Sequence, residues 1–202
     1  MTKDHSLQRR QLRELIAQAA ARLIAEDGMQ DYALAKRKAA RQMGASDSQS
    51  LPANSEVQQA LRAYQELYQK DEQPLRLKQL RQEALAVMHL LERFNPHLTG
   101  SVLAGTATRH SDINLQLFTD SAKEVELFLL NRNTLYETGE KRYWLGDEPL
   151  QVPTFTLYGN AAEIKISVFA TGDLRKATKN PIDGGILERA RIKQVEALLG
   201  AD

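Results

Sequence analysis

The apolar residues of this chain change period near Pro96, and that change limits the folds open to it. Up to Phe94 they recur at intervals of three and four, whereas from Ile113 onward several segments alternate with period two. Residues three or four apart share one face of a helix, and residues two apart share one face of a strand. A helical region followed by a region rich in strands predicts an α+β protein.

Four helices are expected before Pro96. Residues 7 to 26 place Leu12, Ile16, Ala19, Ala20 and Leu23 on one stripe, with Gly28 as C-cap. A helix at about 31 to 43 carries Tyr32, Ala35, Ala39 and Met43 on one face and ends at Gly44, and "ASDSQSLPAN" reads as a loop. Ser55 and Gln58 form a capping-box pattern ahead of Val57, Leu61, Tyr64 and Leu67. The fourth helix, about 75 to 94, aligns Leu77, Leu80, Ala84, Val87, Leu91 and Phe94 before Pro96 stops it.

Beyond Pro96, a short strand runs into Gly100-Ser101 and a glycine-containing loop, followed by the alternating strand "INLQLFT". Ser121 and Glu124 cap a helix with Val125, Phe128 and Leu129, and "KRYWL", "QVPTFTLY" and "AEIKISVF" read as strands, the last two joined at Gly159-Asn160. A polar loop containing "NPIDGG" leads to a last helix with Ile192, Val195 and Leu198. The expected division is a helical region over 1–72 and a mixed α+β domain over 73–202.

Composition excludes several chemistries. The chain has no cysteine, so disulfides, thiolate metal sites and cysteine nucleophiles are out. A formal net charge of +1 offers no global attraction to nucleic acid or membrane, so any partner must be recognised locally. No apolar run approaches the ~18 residues needed to span a bilayer. The expectation is a soluble, cytoplasmic protein without a membrane partner. The four histidines, at 5, 89, 97 and 110, lack ligand spacing, and the neighbours in "HSD" at 110–112 would point to opposite faces of a strand, which rules out a serine-histidine-aspartate relay.

The residues with a chemical pattern are Thr99-Gly100-Ser101, ten intervening positions, and Asp112-Ile113-Asn114-Leu115. This arrangement, between a preceding helix and a following helix and strands, resembles the signature of the nucleotidyltransferase superfamily over about residues 75 to 170. The resemblance implies a nucleotidyltransferase-like mixed sheet flanked by helices. It implies transfer of a nucleotidyl group from a nucleoside triphosphate to a hydroxyl, with Gly100 and Ser101 on the phosphates and Asp112 holding Mg²⁺ beside Asn114. Glu163 on a later strand matches the third carboxylate, a metal ligand and the candidate base.

Two departures matter. Asn114 stands where the family has a second carboxylate, and a neutral carbonyl is a poorer ligand for a hard cation. The loop after Gly100-Ser101 reads "VLAG" and lacks the basic residue common there. Lys165 follows Glu163 on the same strand face, so its ammonium could meet the phosphates or stand beside Asp112 in the place of a metal cation. The alternative to a transferase is therefore a module that keeps the fold and binds a nucleotide, a nucleic acid or a protein.

A second constellation is Lys36, Arg37, Lys38 and Arg41 on the second helix, which could contact RNA phosphates if the acceptor were RNA. The competing reading is a solvated face balanced by Glu26, Asp27 and Asp31. A helix-turn-helix reading of the first helices conflicts with the ten-residue loop after Gly44.

Overall fold

The computed structural model describes residues 2–45, 51–180 and 185–201. Residues 46–50 and 181–184, in the two long loops expected from sequence, lie outside the described residues. The chain is α+β, with helices preceding a five-stranded mixed sheet. It divides into two compact units, Met1–Gln73 and Pro74–Asp202. No helix among the described residues is long and apolar enough to cross a membrane.

The first unit holds α1 (Thr2–Asp27), α2 (Tyr32–Gln42) and α3 (Asn54–Tyr68). Alanines dominate its core, with Ala17, Ala20, Ala21, Ala35 and Ala39 packed around Ile16, Val57 and Leu61. Small side chains let helix backbones approach closely. The Asp31 carboxylate caps α2 by accepting from the Ala33 and Leu34 N–H groups. Met43, expected inside, is 39% exposed because α2 ends before it, and Ala40 is buried instead. Ser55 and Gln58 do not cap α3. The helix begins two residues earlier, with Ala53 at the N-cap, and Glu56 accepts from the Ala53 N–H at 2.6 Å while Arg13 grips its carboxylate.

The second unit opens with α4 (Glu72–Leu90), whose chain continues through a 3-10 turn, Glu92–Phe94, to a left-handed Asn95 (φ 51°) ahead of Pro96. β1 (His97–Thr99) follows, then α5 (Gly100–Ala104), so Gly100-Ser101 opens a short helix where a loop was expected. β2 (Ile113–Phe118), α6 (Ala122–Asn131), β3 (Tyr136–Leu145), β4 (Glu148–Tyr158), β5 (Glu163–Phe169) and α7 (Ile192–Ala201) complete it.

Strand order is β1-β2-β5-β4-β3, with β2 and β5 parallel and the other neighbours antiparallel. Registers place Leu98, Leu115, Ile166 and Phe155 in one row, and Ile113, Ile164 and Leu157 in the next. These residues bury one sheet face in a core with Leu80, Ala84 and Met88 of α4, Val125 and Leu129 of α6, and Val195 of α7. The other face carries polar rows: Thr99, Asn114, Lys165 and Thr156, then His97, Gln116, Ser167 and Thr154. Past those rows the same face turns apolar, where Phe118, Phe169 and Val152 pack with Tyr143, Leu145 and Leu174.

Candidate functional site

The polar rows form a cleft floor that grows more buried along the parallel strands. On β5 the side chain of Glu163 is 49% exposed and that of Lys165 41%, whereas Ser167 and Phe169 are buried. On β2 Asn114 is half-buried, and Gln116 and Phe118 are buried. The open end therefore holds the charged residues and the closed end holds Gln116 and the aromatic cluster.

Asp112 stands one residue before β2, delivered by a tight turn in which Ser111 Oγ accepts from the Thr108 N–H at 2.9 Å and Thr108 Oγ1 accepts from the His110 N–H at 3.2 Å. Its carboxylate is 14% exposed and accepts from Lys165 Nζ at 2.5 Å. The same ammonium lies 3.8 Å from Glu163 Oε2. Asn114 sits between them in register with Lys165, and its Nδ2 donates to the Asp112 carbonyl at 3.3 Å. Thr99 Oγ1 donates to the Asn114 carbonyl at 3.3 Å, tying β1 to this point.

Gly100 adjoins the same spot. Its φ of +76° is a backbone conformation that side chains disfavour, and a Cβ there would lie 3.5 Å from Asn114 Nδ2. Behind it, the buried Arg81 of α4 donates from Nε to the Val102 carbonyl at 3.3 Å and from Nη2 to the Leu103 carbonyl at 3.5 Å, holding carbonyls of α5. Arg76 Nη2 reaches the Arg109 carbonyl at 3.4 Å and the Ala161 carbonyl at 2.6 Å, linking the turn before Asp112 to the β4–β5 hairpin. Neither arginine belongs to the sequence signature. Arg81 nonetheless leaves a signal in the sequence, a charge in helical phase with Leu77, Ala84 and Met88.

The structure thus brings together Asp112, Asn114, Glu163, Lys165 and Gly100, and Ser101 follows Gly100 at the start of α5. The cations of α2 lie in the other unit. Two of them are engaged there: Lys36 donates to the Pro52 carbonyl at 2.9 Å, and Lys38 pairs with Asp27 at 3.2 Å. Partial burial holds the Lys36 ammonium below its ordinary pKa. Arg37 and Arg41 are exposed.

The donor set does not fit a preformed Mg²⁺ site. Asp112 spends an oxygen on an ammonium, Asn114 supplies a neutral amide, and Glu163 faces the same ammonium. Two carboxylates and one ammonium leave a formal charge of −1. Comparison of the chain with protein-family models, with curated proteins and with solved structures found no match.

Proposed function

We propose that the chain is a nucleotide-binding module of nucleotidyltransferase type in which Lys165 takes the place of a metal cation. The observation that carries this reading is the Lys165 ammonium seated between the carboxylates of Asp112 and Glu163. The built-in cation lowers the charge of the two carboxylates from −2 to −1, which weakens the demand of the site for a divalent ion. Gly100, with φ +76°, lies against Asn114, and Ser101 follows it at the start of α5. Nothing in this arrangement assigns an acceptor, and RNA is not needed to account for it.

A transferase that moves a nucleotidyl group from a nucleoside triphosphate keeps one supporting observation. Asp112 and Glu163 reach the same ammonium from neighbouring strands, so they share one cleft as that chemistry requires.

Isothermal titration with ATP, with and without Mg²⁺, combined with an assay for pyrophosphate release, separates the two. Binding that does not depend on Mg²⁺, without pyrophosphate release, is the expected result. Mg²⁺-dependent binding with pyrophosphate release would move the assignment to the transferase, and no binding under either condition would remove both.

A further inference from the structure

β3 is an edge strand of the sheet, and its only strand neighbour is β4. The far end of its outer edge is covered. There the Trp144 carbonyl accepts from the Lys179 N–H at 2.8 Å, and the Gly146 N–H donates to the Ala177 carbonyl at 3.1 Å. Backbone groups of alternate residues point to the same side of an antiparallel ladder, so Tyr136, Thr138, Glu140 and Arg142 also aim N–H and C=O outward. Among the described residues no strand takes these groups up. The segment from Glu137 to Arg142 is exposed throughout, and its register against β4 runs with neither a bulge nor a proline in β3. A long, regular edge of this kind is a template for a further strand, which native chains usually blunt or cover.

We infer that a second copy of this chain lays its own β3 antiparallel against this edge, across a twofold axis through Gly139. The charge order of "ETGEKR", residues 137–142, selects that occupant. A twofold axis normal to the sheet keeps every side chain on its face, so the axis must pass through a residue and only residues an even number apart can oppose each other. Centred on Gly139, Glu137 lies opposite Lys141 of the second copy, and Lys141 opposite its Glu137. Both pairs fall at non-hydrogen-bonded positions, where side chains approach most closely, while the outward groups of Thr138 and Glu140 exchange the ladder bonds. Moving the axis to Thr138 leaves no opposite charges facing, moving it to Glu140 sets two glutamates together, and moving it to Lys141 sets two lysines together. Charges that would repel an arbitrary strand therefore admit one partner in one register. Both groups are accessible to that partner. The Tyr158 hydroxyl donates to Oε1 of Glu137 and leaves Oε2, and the Lys141 ammonium rests 5.3 Å from the Tyr143 ring centroid. Two five-stranded sheets then become one, with both polar faces on the same side.

Charge exchange tests the pairing. Sedimentation velocity over a concentration series should show a monomer–dimer equilibrium for the native chain. Glu137→Lys and Lys141→Glu each turn both symmetric pairs repulsive, so each should weaken the dimer by about tenfold to a hundredfold. An equimolar mixture of the two variants should dimerise again, because each supplies the charge that the other lacks, and the double variant should do so by itself. Thr138→Pro removes an outward N–H while sparing both the ladder to β4 and every charge, so it should weaken the dimer by another route. All three positions are exposed, and melting curves of the variants should stay close to the native one. A native chain that sediments as a monomer throughout the series would overturn the inference and leave the edge to a strand of another protein. A dimer that survives the single exchanges, or single variants that stay monomeric when mixed, would overturn it equally.

Discussion

Asn114 and Lys165 face each other across the parallel β2–β5 pair, so the one neutral position in the signature lies beside the fixed cation of the cleft. The neutral side chain and the fixed cation are thereby two parts of one cross-strand pair. An aspartate at 114 would put a third carboxylate around an ammonium that already serves Asp112 and Glu163. An asparagine leaves that balance at two against one.

Asn114→Asp should therefore lower stability, by about 1 kcal/mol through like-charge repulsion at a half-exposed site. Melting curves of both proteins with and without Mg²⁺ give the check. A ligand that binds only the native state raises the melting temperature, so a variant that melts lower and ignores Mg²⁺ is the expected outcome. A variant that Mg²⁺ stabilises well beyond the native chain would show that one carboxylate was all a metal site lacked.

Lys165→Met should also destabilise, because it strips the partner from an Asp112 carboxylate that is only 14% exposed. The lysine is itself 41% exposed, so solvent screening limits the cost to about 1–2 kcal/mol. Adding Asp112→Asn should return part of the loss, since the uncompensated charge then disappears. Urea unfolding of the two single variants and the double variant measures the coupling, and strictly additive losses would mean that the ion pair contributes nothing.

Much of this arrangement is legible in the order of the amino acids, and the rest is hidden there for identifiable reasons. Alternation in "INLQLFT" and "AEIKISVF" puts Asp112 and Asn114 in one row and Glu163 and Lys165 in another, and the sheet sets these rows side by side. The first half of β3 is not legible, because "YETGE" shows no apolar alternation and becomes a strand only through pairing with β4. Pro149 and Pro153 argue against extending β4 toward its start. They fit because that stretch pairs with β3 alone, β5 joining only from Thr154 onward. Gln116 shows the deeper limit: a period of two tells which face a side chain takes but not what covers it.

The β4–β5 hairpin offers a test of how the cleft rim is held. Glu83 of α4 accepts from the Asn160 N–H at 2.5 Å and the Ala161 N–H at 2.9 Å, and a Cβ on Gly159 would come within 2.5 Å of the same carboxylate and 2.6 Å of the Ala162 carbonyl. Backbone cannot yield as a flexible side chain does, so Gly159→Ala should cost about 1–3 kcal/mol. Glu83→Ala should cost about 1–2 kcal/mol through two lost charge-assisted hydrogen bonds. Thermal denaturation of each variant decides it, and a Gly159→Ala protein with native stability would show that the hairpin is not held in this conformation.

His97 predicts a pH dependence of stability. Burial, opposed by its contact with the Asn95 carbonyl and reinforced by the charges of Arg191 and Arg189, holds its pKa below the ordinary value. The unfolded chain protonates this imidazole near pH 6.5, whereas the folded chain keeps it neutral to lower pH. Between those two values the unfolded state binds more protons, so stability is complete above about pH 6.5 and is lost as pH falls through the folded pKa. His97→Gln cannot titrate and should lose less stability than the native chain between about pH 7.5 and pH 5, while carboxylates common to both proteins contribute equally. Melting temperatures across that range give the difference directly. Parallel curves for the two proteins would mean that His97 accepts a proton as readily in the fold as in the unfolded chain, against the neutral imidazole packed on Phe118.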